Sequence, residues 1–443
     1  MYKRRLAVFV CLMVPIAAAD NDPAHWPQWR GPYRNGIART AAPVEWSATK
    51  NLAWKAEIPG RGHSSPVIWG DRIFLTTAVP IGRAEEPGSA PAAQPQSRRG
   101  GPGGGTGALV EHRFLVYCLD RNTGKIVWER EARVAKPHEG YHFKYGSFAS
   151  NSPVTDGKLV YAFFGSRGLF AYDFDGKLVW KRDMAPMRMK LSFGEGTAPV
   201  LDGERLILSL DQEENSEIVV MDKRTGKDIW RVKRDEQTAW AEPLVVEHAG
   251  KRQIIVAATG KVRSYDVETG KLIWECAGLG ANVIPAPVSK DGIVWVMSGF
   301  RNPNLMAIRI DRTGDLTGTD AILWTNQRGN SYTPSPVLDD DKLYFVSDNG
   351  MLSCLNAKTG QPYYQQQRLP KPYNFKSSPV AAGGKLYLAT EEGDVVVVKM
   401  GEKFEVLATN RIADEMIIAT PAVAEGSLYL RGPNALYSVR ETR

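Results

Sequence analysis

A proline followed by valine, or by another apolar residue, recurs eight times along the 443-residue chain. Successive copies lie 42 to 49 residues apart, except that 87 residues separate the first from the second. A period of this length is typical of arrays in which each repeat is one supersecondary unit packed on its neighbours. The eight anchors are Pro66-Val67, Pro153-Val154, Pro199-Val200, Pro243-Leu244, Pro287-Val288, Pro336-Val337, Pro379-Val380 and Pro421-Ala422.

The second repeat shows the structure that each unit predicts. After Pro153-Val154 come a turn at Asp156-Gly157, an apolar strand over 159–163, a second strand over 168–172 and a last strand ending at Trp180. Short strands separated by Gly-bearing turns predict a four-stranded antiparallel meander. The middle strands are apolar at consecutive positions, so both of their faces must be covered. We therefore predict an all-β fold, an eight-bladed β-propeller.

The turn before the fourth strand carries the most specific signature. It reads Asp-Arg-Asn-Thr-Gly-Lys-Ile-Val-Trp over 120–128 and recurs over 222–230, 266–274 and, relaxed, 356–364. Asp caps such a turn, Gly accepts a positive φ, and the aromatic ring packs on the adjoining blade. The Asp-rich stretch 311–320 is interpreted as a lengthened copy of this turn rather than as a calcium loop. The predicted docking residues are Trp54, Trp128, Trp180, Trp230, Trp274, Trp324 and Tyr364.

The two ends of the repeat array complement each other. The eighth unit ends after Val439 without a fourth strand, whereas Leu52-Ala53-Trp54-Lys55 precedes the first unit as an unassigned strand. We predict that residues 50–57 form the outer strand of the last blade. Such an overlap removes the free strand edges of an open array.

The first 19 residues are interpreted as a signal peptide, because Lys3, Arg4 and Arg5 precede an apolar stretch that ends in small residues. The mature chain, 20–443, is then one propeller with a flexible insertion at about 80–109, and we expect an exported, periplasmic or secreted monomer. Loss of three basic residues lowers the formal charge from +7 to +4, which gives no electrostatic case for nucleic-acid binding. The mature chain has no second apolar run of this kind, so we predict no transmembrane segment in it.

The chemistry-bearing residues outside the repeat are few. Cys118, Cys276 and Cys354 remain after cleavage, and two of them occupy a repeat position that takes small buried residues, so we expect structural thiols. Among the six histidines only His138 and His142 are close in sequence, and the neighbouring Pro137 and Gly140 favour a surface loop over a metal site. No metal site is predicted.

The Asp-x-x-Thr-Gly-Lys-x-x-Trp turn resembles the docking motif of quinoprotein-like propellers, the PQQ-repeat family, and the overall plan resembles BamB-like scaffolds of that family. The opening Trp26-Pro27-Gln28-Trp29-Arg30-Gly31-Pro32 is similar to the start of many secreted PQQ-like repeat proteins. The resemblance covers roughly residues 25 to 440 and implies the fold.

What the resemblance implies about activity is divided. Catalytic quinoproteins hold PQQ beneath a ring of two adjacent disulfide-bonded cysteines and place Glu, Asn and Asp around a calcium ion. This chain has no Cys-Cys pair, and the calcium set does not match residue by residue. We therefore expect a non-catalytic scaffold without a cofactor that binds a protein, a saccharide or another small ligand of the cell envelope. The alternative is a PQQ- and calcium-dependent alcohol or sugar dehydrogenase with a diverged pocket.

Binding candidates follow from the topology of a meander. The first-to-second and third-to-fourth turns share one rim, which we name the turn rim, and the longer connections share the opposite loop rim. Loop-rim aromatics are the partner-binding candidates, although they could instead plug the channel: Tyr141, His142, Phe143, Tyr145, Trp240, Tyr332, Tyr373 and Phe375. Polar candidates at the channel mouth, which could equally line a solvated channel, are Asn151, Glu195, Glu242 and Asn282.

Overall fold

A computed structural model of the chain describes residues 22–82 and 109–441. The segment interpreted as a signal peptide and most of the predicted insertion lie outside the described residues. The described residues form eight antiparallel blades arranged in a ring, so the predicted eight-bladed propeller is confirmed. None of their helices is long and apolar enough to cross a membrane.

Each blade places one strand next to the channel and three more successively farther from it. From the innermost strand outward, blade 1 consists of Val67–Trp69, Arg72–Pro80, His112–Asp120 and Ile126–Ala135, and blade 2 of Val154–Thr155, Leu159–Phe163, Leu169–Asp173 and Leu178–Arg182. Blade 3 consists of Val200–Asp202, Arg205–Leu210, Glu217–Asp222 and Asp228–Lys233, and blade 4 of Leu244–His248, Lys251–Val256, Val262–Asp266 and Leu272–Cys276. Blade 5 consists of Val288–Lys290, Ile293–Ser298, Asn304–Arg309 and Ile322–Asn326, and blade 6 of Val337–Asp339, Lys342–Val346, Met351–Asn356 and Pro362–Arg368. Blade 7 consists of Val380–Ala382, Lys385–Ala389, Asp394–Lys399 and Val406–Arg411. Blade 8 consists of Ala422–Ala424, Ser427–Arg431, Ala435–Arg440 and the N-terminal strand Leu52–Glu57. Two short 3-10 helices, Gly165–Arg167 and Lys190–Ser192, lie in loops.

The last blade closes as predicted. Leu52–Glu57 pairs antiparallel with Ala435–Arg440, with Leu52 opposite Val439 and Glu57 opposite Ala435. The prediction of 50–57 was therefore too long by two residues at its start. Because blade 8 takes its outer strand from the beginning of the chain, the ring is held shut by main-chain hydrogen bonds.

Five of the docking tryptophans, Trp54, Trp128, Trp180, Trp230 and Trp324, donate a hydrogen bond to the next blade. The indole N–H of Trp54 donates to the carbonyl of Arg121 at 3.0 Å, and that of Trp180 donates to the carbonyl of Lys223 at 2.9 Å. The turn glycine lies beneath the ring: a Cβ on Gly124, whose φ is +72°, would stand 2.5 Å from Trp54 Cε3. Glycine is therefore required at this position both by its backbone conformation and by the close approach of the ring.

Blade 4 has a fifth strand that the sequence did not predict. Gly314–Asp315, within the long turn of blade 5, pairs in parallel with Trp274 and Glu275 at the outer edge of blade 4. Leu316 donates its N–H to the carbonyl of Glu275 at 2.8 Å and is buried beside Trp274. The stretch 311–320 is thus a lengthened turn that also covers a neighbouring edge.

The segment 22–40, which we name the N-terminal plug, fills much of the channel at the turn rim. Trp26 exchanges two main-chain hydrogen bonds of 2.8 Å with Ile68 of blade 1. Arg30 is fully buried and donates to the carbonyls of Pro336 in blade 6 and Pro379 in blade 7. Burial of the guanidinium lowers the pKa of Arg30 to about 10, although the charge of Glu242 acts in the opposite direction. The plug therefore links distant blades through the axis of the ring.

Candidate functional site

The loop 136–150, between blades 1 and 2, projects over the loop-rim mouth. Its backbone is tied to the next loop, because His142 donates its N–H to the carbonyl of Phe193 at 3.0 Å and His138 Nε2 lies 2.8 Å from the carbonyl of Met187. On the other side, Arg61 donates to the carbonyl of Lys144 at 3.0 Å. Contacts on both sides fix the loop as a bracket.

Two charged contacts carry this loop across to blades 6 and 7. Lys144 Nζ lies 2.7 Å from Glu391 Oε2, and this hydrogen bond raises the pKa of the lysine. The ammonium of Lys376 lies 4.7 Å from the ring centroid of Tyr145 and 2.7 Å from Asp348 Oδ2. The loop that follows blade 1 thus contacts loops of blades 6 and 7, and it spans the mouth of the channel.

An aromatic cluster lies on this bracket. The ring of His142 is stacked between Phe143 and Tyr145, at centroid distances of 5.0 and 4.7 Å, and Phe193 lies 5.1 Å away. The side chain of Phe143 is 54% exposed. Partial burial is the main cause that lowers the pKa of His142, and the nearby charge of Lys376 adds to it. The imidazole is therefore neutral near pH 7. We name these four residues, His142, Phe143, Tyr145 and Phe193, the aromatic patch.

Three of the aromatic binding candidates are not at the surface. Tyr141 is buried edge-on against Phe148, with a centroid distance of 4.7 Å. Tyr373 is buried with its hydroxyl donating to Asp394 Oδ2 at 2.8 Å, and Phe375 is fully buried. Their rings fill the space beneath the loops, and a direct contact of these three residues with a partner stays a prediction.

Trp240 and Tyr332 are half-buried and brace neighbouring loops. The indole of Trp240 donates to the carbonyl of Gly194 at 2.8 Å, while the ring of Tyr332 stacks on Phe300 at 5.2 Å. They support the rim, on which Phe143 of the aromatic patch and Leu191 of the next loop are exposed apolar side chains.

The four polar candidates divide into two kinds. Glu195 is buried in an ion pair with Arg167 at 2.8 Å and also accepts hydrogen bonds from Ser166. It is a structural anchor between blades 2 and 3. In contrast, Asn151, Glu242 and Asn282 each have a buried side-chain oxygen that no described residue donates to. These oxygens are positioned to accept hydrogen bonds from water in the channel interior.

Glu242 is the most perturbed of these groups. Burial raises its pKa to about 8, although the charges of Arg34 and Arg30 in the N-terminal plug act in the opposite direction. The carboxyl is therefore mostly protonated in neutral solution.

Comparison with known proteins places this geometry in a family. A family model described as "Outer membrane protein assembly factor BamB" matches residues 112–366 and 318–442, well over half of the chain. The chain belongs to the BamB family. The BamB protein of Yersinia pestis is 23% identical over 339 residues, which make up 73% of this chain and 78% of that protein.

Two solved structures share the fold. BamB from Moraxella catarrhalis superposes with a TM-score of 0.57 at 12% identity, covering 88% of this BamB-family chain and 98% of the other. Quinohemoprotein alcohol dehydrogenase from Comamonas testosteroni superposes with a TM-score of 0.63 at 11% identity, covering 95% of this chain and 81% of that one. Since the fold is common to a scaffold and an enzyme, the site must decide the function.

The cysteines and acidic side chains of this BamB-family chain differ from those that the resemblance associates with PQQ and calcium. Cys118, Cys276 and Cys354 are buried free thiols whose pKa values are raised by burial. No two of them are neighbours in sequence, so they cannot form an adjacent-cysteine ring. Within 22–82 and 109–441, no three His, Cys, Asp or Glu side chains come together as metal ligands. Glu195, the acid nearest to that role, is already paired with Arg167.

The sequence did not reveal the bracing of the loop rim. Lys144, Lys376, Glu391 and Asp348 lie on four separate loops, and nothing in their local sequence signals that they meet. Arg30 was visible within the Trp26–Pro32 motif only as a family resemblance, because its partners are main-chain carbonyls that have no residue signature. A charged residue directly after Trp29 was the available clue.

Replacing Glu242 with Gln is expected to change how stability depends on pH. The folded-state pKa lies above the ordinary value of 4.5, so the native carboxyl keeps a proton that the unfolded chain has released, and stability falls as pH rises from 4.5 to 8. Gln cannot ionise, so the variant should gain on the order of 3 kcal/mol relative to the natural chain between pH 5 and pH 8. Urea unfolding at both pH values measures this, with Glu247→Gln, an exposed position, as the control. Parallel pH profiles for E242Q and the natural chain would contradict the prediction.

Proposed function

We propose that the protein is an exported, non-catalytic scaffold that binds another protein of the cell envelope through the aromatic patch on its loop rim. The observation that carries the proposal is the exposure of Phe143 on a loop braced at both ends. Apolar rings held rigidly in solvent are typical of protein-binding hot spots, since little conformational freedom is lost on binding.

The family supports the class of partner. BamB relatives are named outer membrane protein assembly factors, and we propose that this chain likewise acts in an assembly process at the envelope, with a protein rather than a saccharide or another small molecule as its ligand. Lys144 and Lys376 flank the patch, but both are paired with carboxylates. The patch is therefore apolar with a neutralised border, which suits an apolar side chain of a partner better than an anionic ligand.

Truncating Phe143 of the aromatic patch is expected to weaken partner binding without unfolding the protein. Phe143→Ala should reduce recovery of co-purifying proteins from an envelope extract by about tenfold, the effect of a single hot-spot residue. Because Phe143 is largely exposed, the melting temperature of the variant should stay within about 2 °C of that of the natural protein. Leu178→Ala, at an outer-strand residue that is 42% exposed, is the matched control and should bind normally. Equal recovery by F143A and L178A would exclude the patch as the binding surface.

We also propose that the protein has no quinone-dependent turnover. Purified protein mixed with PQQ and calcium should neither change the absorbance of the cofactor nor reduce an electron-accepting dye when alcohols or sugars are added. The physical reason is that the chain lacks both the adjacent-cysteine ring and a set of calcium ligands that matches the catalytic quinoproteins. Saturable, substrate-dependent dye reduction would establish the dehydrogenase alternative.

A further inference from the structure

The innermost strand of every blade has a main-chain edge that faces the channel axis. In an antiparallel ladder a residue directs both its N–H and its C=O to the same side. Ile68, two residues after the anchor proline of blade 1, gives both groups to Trp26 of the N-terminal plug. The second residue after the proline therefore points its hydrogen-bonding groups into the channel, away from the second strand.

The plug uses this edge in several blades. Ala381 of blade 7 donates to the carbonyl of Gly36 and accepts from the N–H of Ala38, both at 2.8 Å. Thr155 of blade 2 donates to the carbonyl of Pro27, and Leu201 of blade 3 accepts from Arg34. In blades 1 and 7 the chain itself has added an extended segment to an inner strand.

Blades 4 and 5 lack this covering. Their equivalent residues, Val245 and Ser289, are partly exposed, and no described residue bonds to the main-chain N–H or C=O of either one. Leu338 and Val423, the equivalents in blades 6 and 8, also lack such bonds but are buried. A cavity of about 380 Å³ lies beside them, between Arg34 of the plug and the two inner strands. The position that the plug occupies elsewhere is thus open at these two blades.

The innermost strand of blade 4 also has a longer channel-facing edge than the innermost strands of the other blades. This strand, Leu244–His248, has five residues, whereas the other innermost strands have two or three. Its hairpin closes with His248 opposite Lys251, two residues later than in blades such as blade 1. Since the pairing alternates, both Val245 and Glu247 direct their main-chain groups toward the channel side.

We propose that this cavity is a second binding site, in which an extended polypeptide segment of a partner adds as a strand to the inner edge of blade 4. Free strand edges recruit extended chains through main-chain hydrogen bonds. The side chains around the cavity carry both signs of charge, with Arg34 and Lys290 opposed by Glu247 and Asp291. These mixed charges favour neither a small anion nor a small cation, whereas a peptide backbone matches the alternating donors and acceptors of the strand edge.

The site is tested by removing one donor from the edge. Random ten-residue peptides displayed on phage are selected on the full mature protein, and selected peptides are synthesised for fluorescence anisotropy. Val245→Pro deletes the channel-facing N–H but no ladder hydrogen bond, and proline is tolerated at such an edge. It should weaken peptide binding about tenfold, the effect of one lost hydrogen bond. Val245→Ala keeps the N–H and should bind normally.

A second measurement uses the natural protein and so does not depend on correct folding of the proline variant. N-methylation of alternate residues in the synthetic peptide removes the peptide's own donors and should weaken binding to the natural protein in only one of the two registers. Phe143→Ala should leave peptide binding unchanged, which separates this site from the loop-rim patch. Peptides that bind V245P as tightly as the natural chain, methylation without effect in either register, or a selection that yields no binder would each overturn the proposal.

Discussion

Deleting residues 22–57 is expected to abolish cooperative unfolding of the propeller. The deletion removes the outer strand of blade 8 and exposes the main-chain edge of Ala435–Arg440. It also removes the buried side chains of Trp26 and Arg30, and the hydrogen bond from Trp54 to Arg121 that joins blade 8 to blade 1. The single sigmoidal transition in urea, followed by tryptophan fluorescence and far-UV circular dichroism, should become broad.

A circular permutant separates the two causes. Arg440 donates its N–H to the carbonyl of Asn51 at 2.9 Å, so a short glycine-rich linker can join residue 441 to residue 51. A chain running from 58 to 441 and continuing through 51–57 regains the closing strand but not the N-terminal plug. It should recover a cooperative transition at a lower midpoint than the natural chain. A deletion variant that unfolds like the full-length protein would show that blade 8 closes in another way.

Trp274→Ala is expected to be the most damaging of the docking substitutions. Trp274 is fully buried because the Gly314–Asp315 strand covers it, and its indole donates to Gln253 Oε1 at 3.0 Å. Removing a buried tryptophan leaves a cavity that costs about 3–5 kcal/mol. Urea denaturation measures this loss as a lower midpoint with an unchanged slope.

Trp230→Ala is the matched comparison. Trp230 occupies the same position in blade 3 and donates to the carbonyl of Val267 at 2.9 Å, but it is only half-buried. Less apolar area returns to water and the remaining space opens to solvent, so the cost should be smaller, on the order of 2 kcal/mol. Equal losses in the two variants would mean that the extra strand of blade 4 contributes nothing to the burial of Trp274.

The parts of the fold that the sequence predicted are those encoded within a single repeat. The Pro-Val anchors, the Thr-Gly-Lys turns and the docking aromatics each act over a few residues and recur, so eight copies reinforce one interpretation. The closing strand was predictable because Trp54 repeats the docking pattern in a unit that lacks its other strands. Local patterns and repetition thus predicted the ring and its closure.

The sites depended on contacts that have no local pattern. The N-terminal plug is held largely by main-chain carbonyls and N–H groups of six blades, which every sequence supplies equally. Lys144 and Glu391 meet only because the loop length lets one reach the other. The burial of Tyr373 and Phe375 could not be predicted, because an aromatic residue in a loop looks the same in sequence whether it faces solvent or fills the space below.

The pairing of Leu52 with Val439 sets the order in which the molecule can be completed. A ribosome releases Leu52 early and Val439 almost last, so the N-terminal strand must wait unpaired while seven blades form. Closing so long a loop costs more entropy than any contact within a blade, which makes it the slow, final step. During that wait the chain exposes two complementary strand edges that could join different molecules. The interval before ring closure, and not the finished ring, is therefore when this protein is most exposed to exchange of strands between copies.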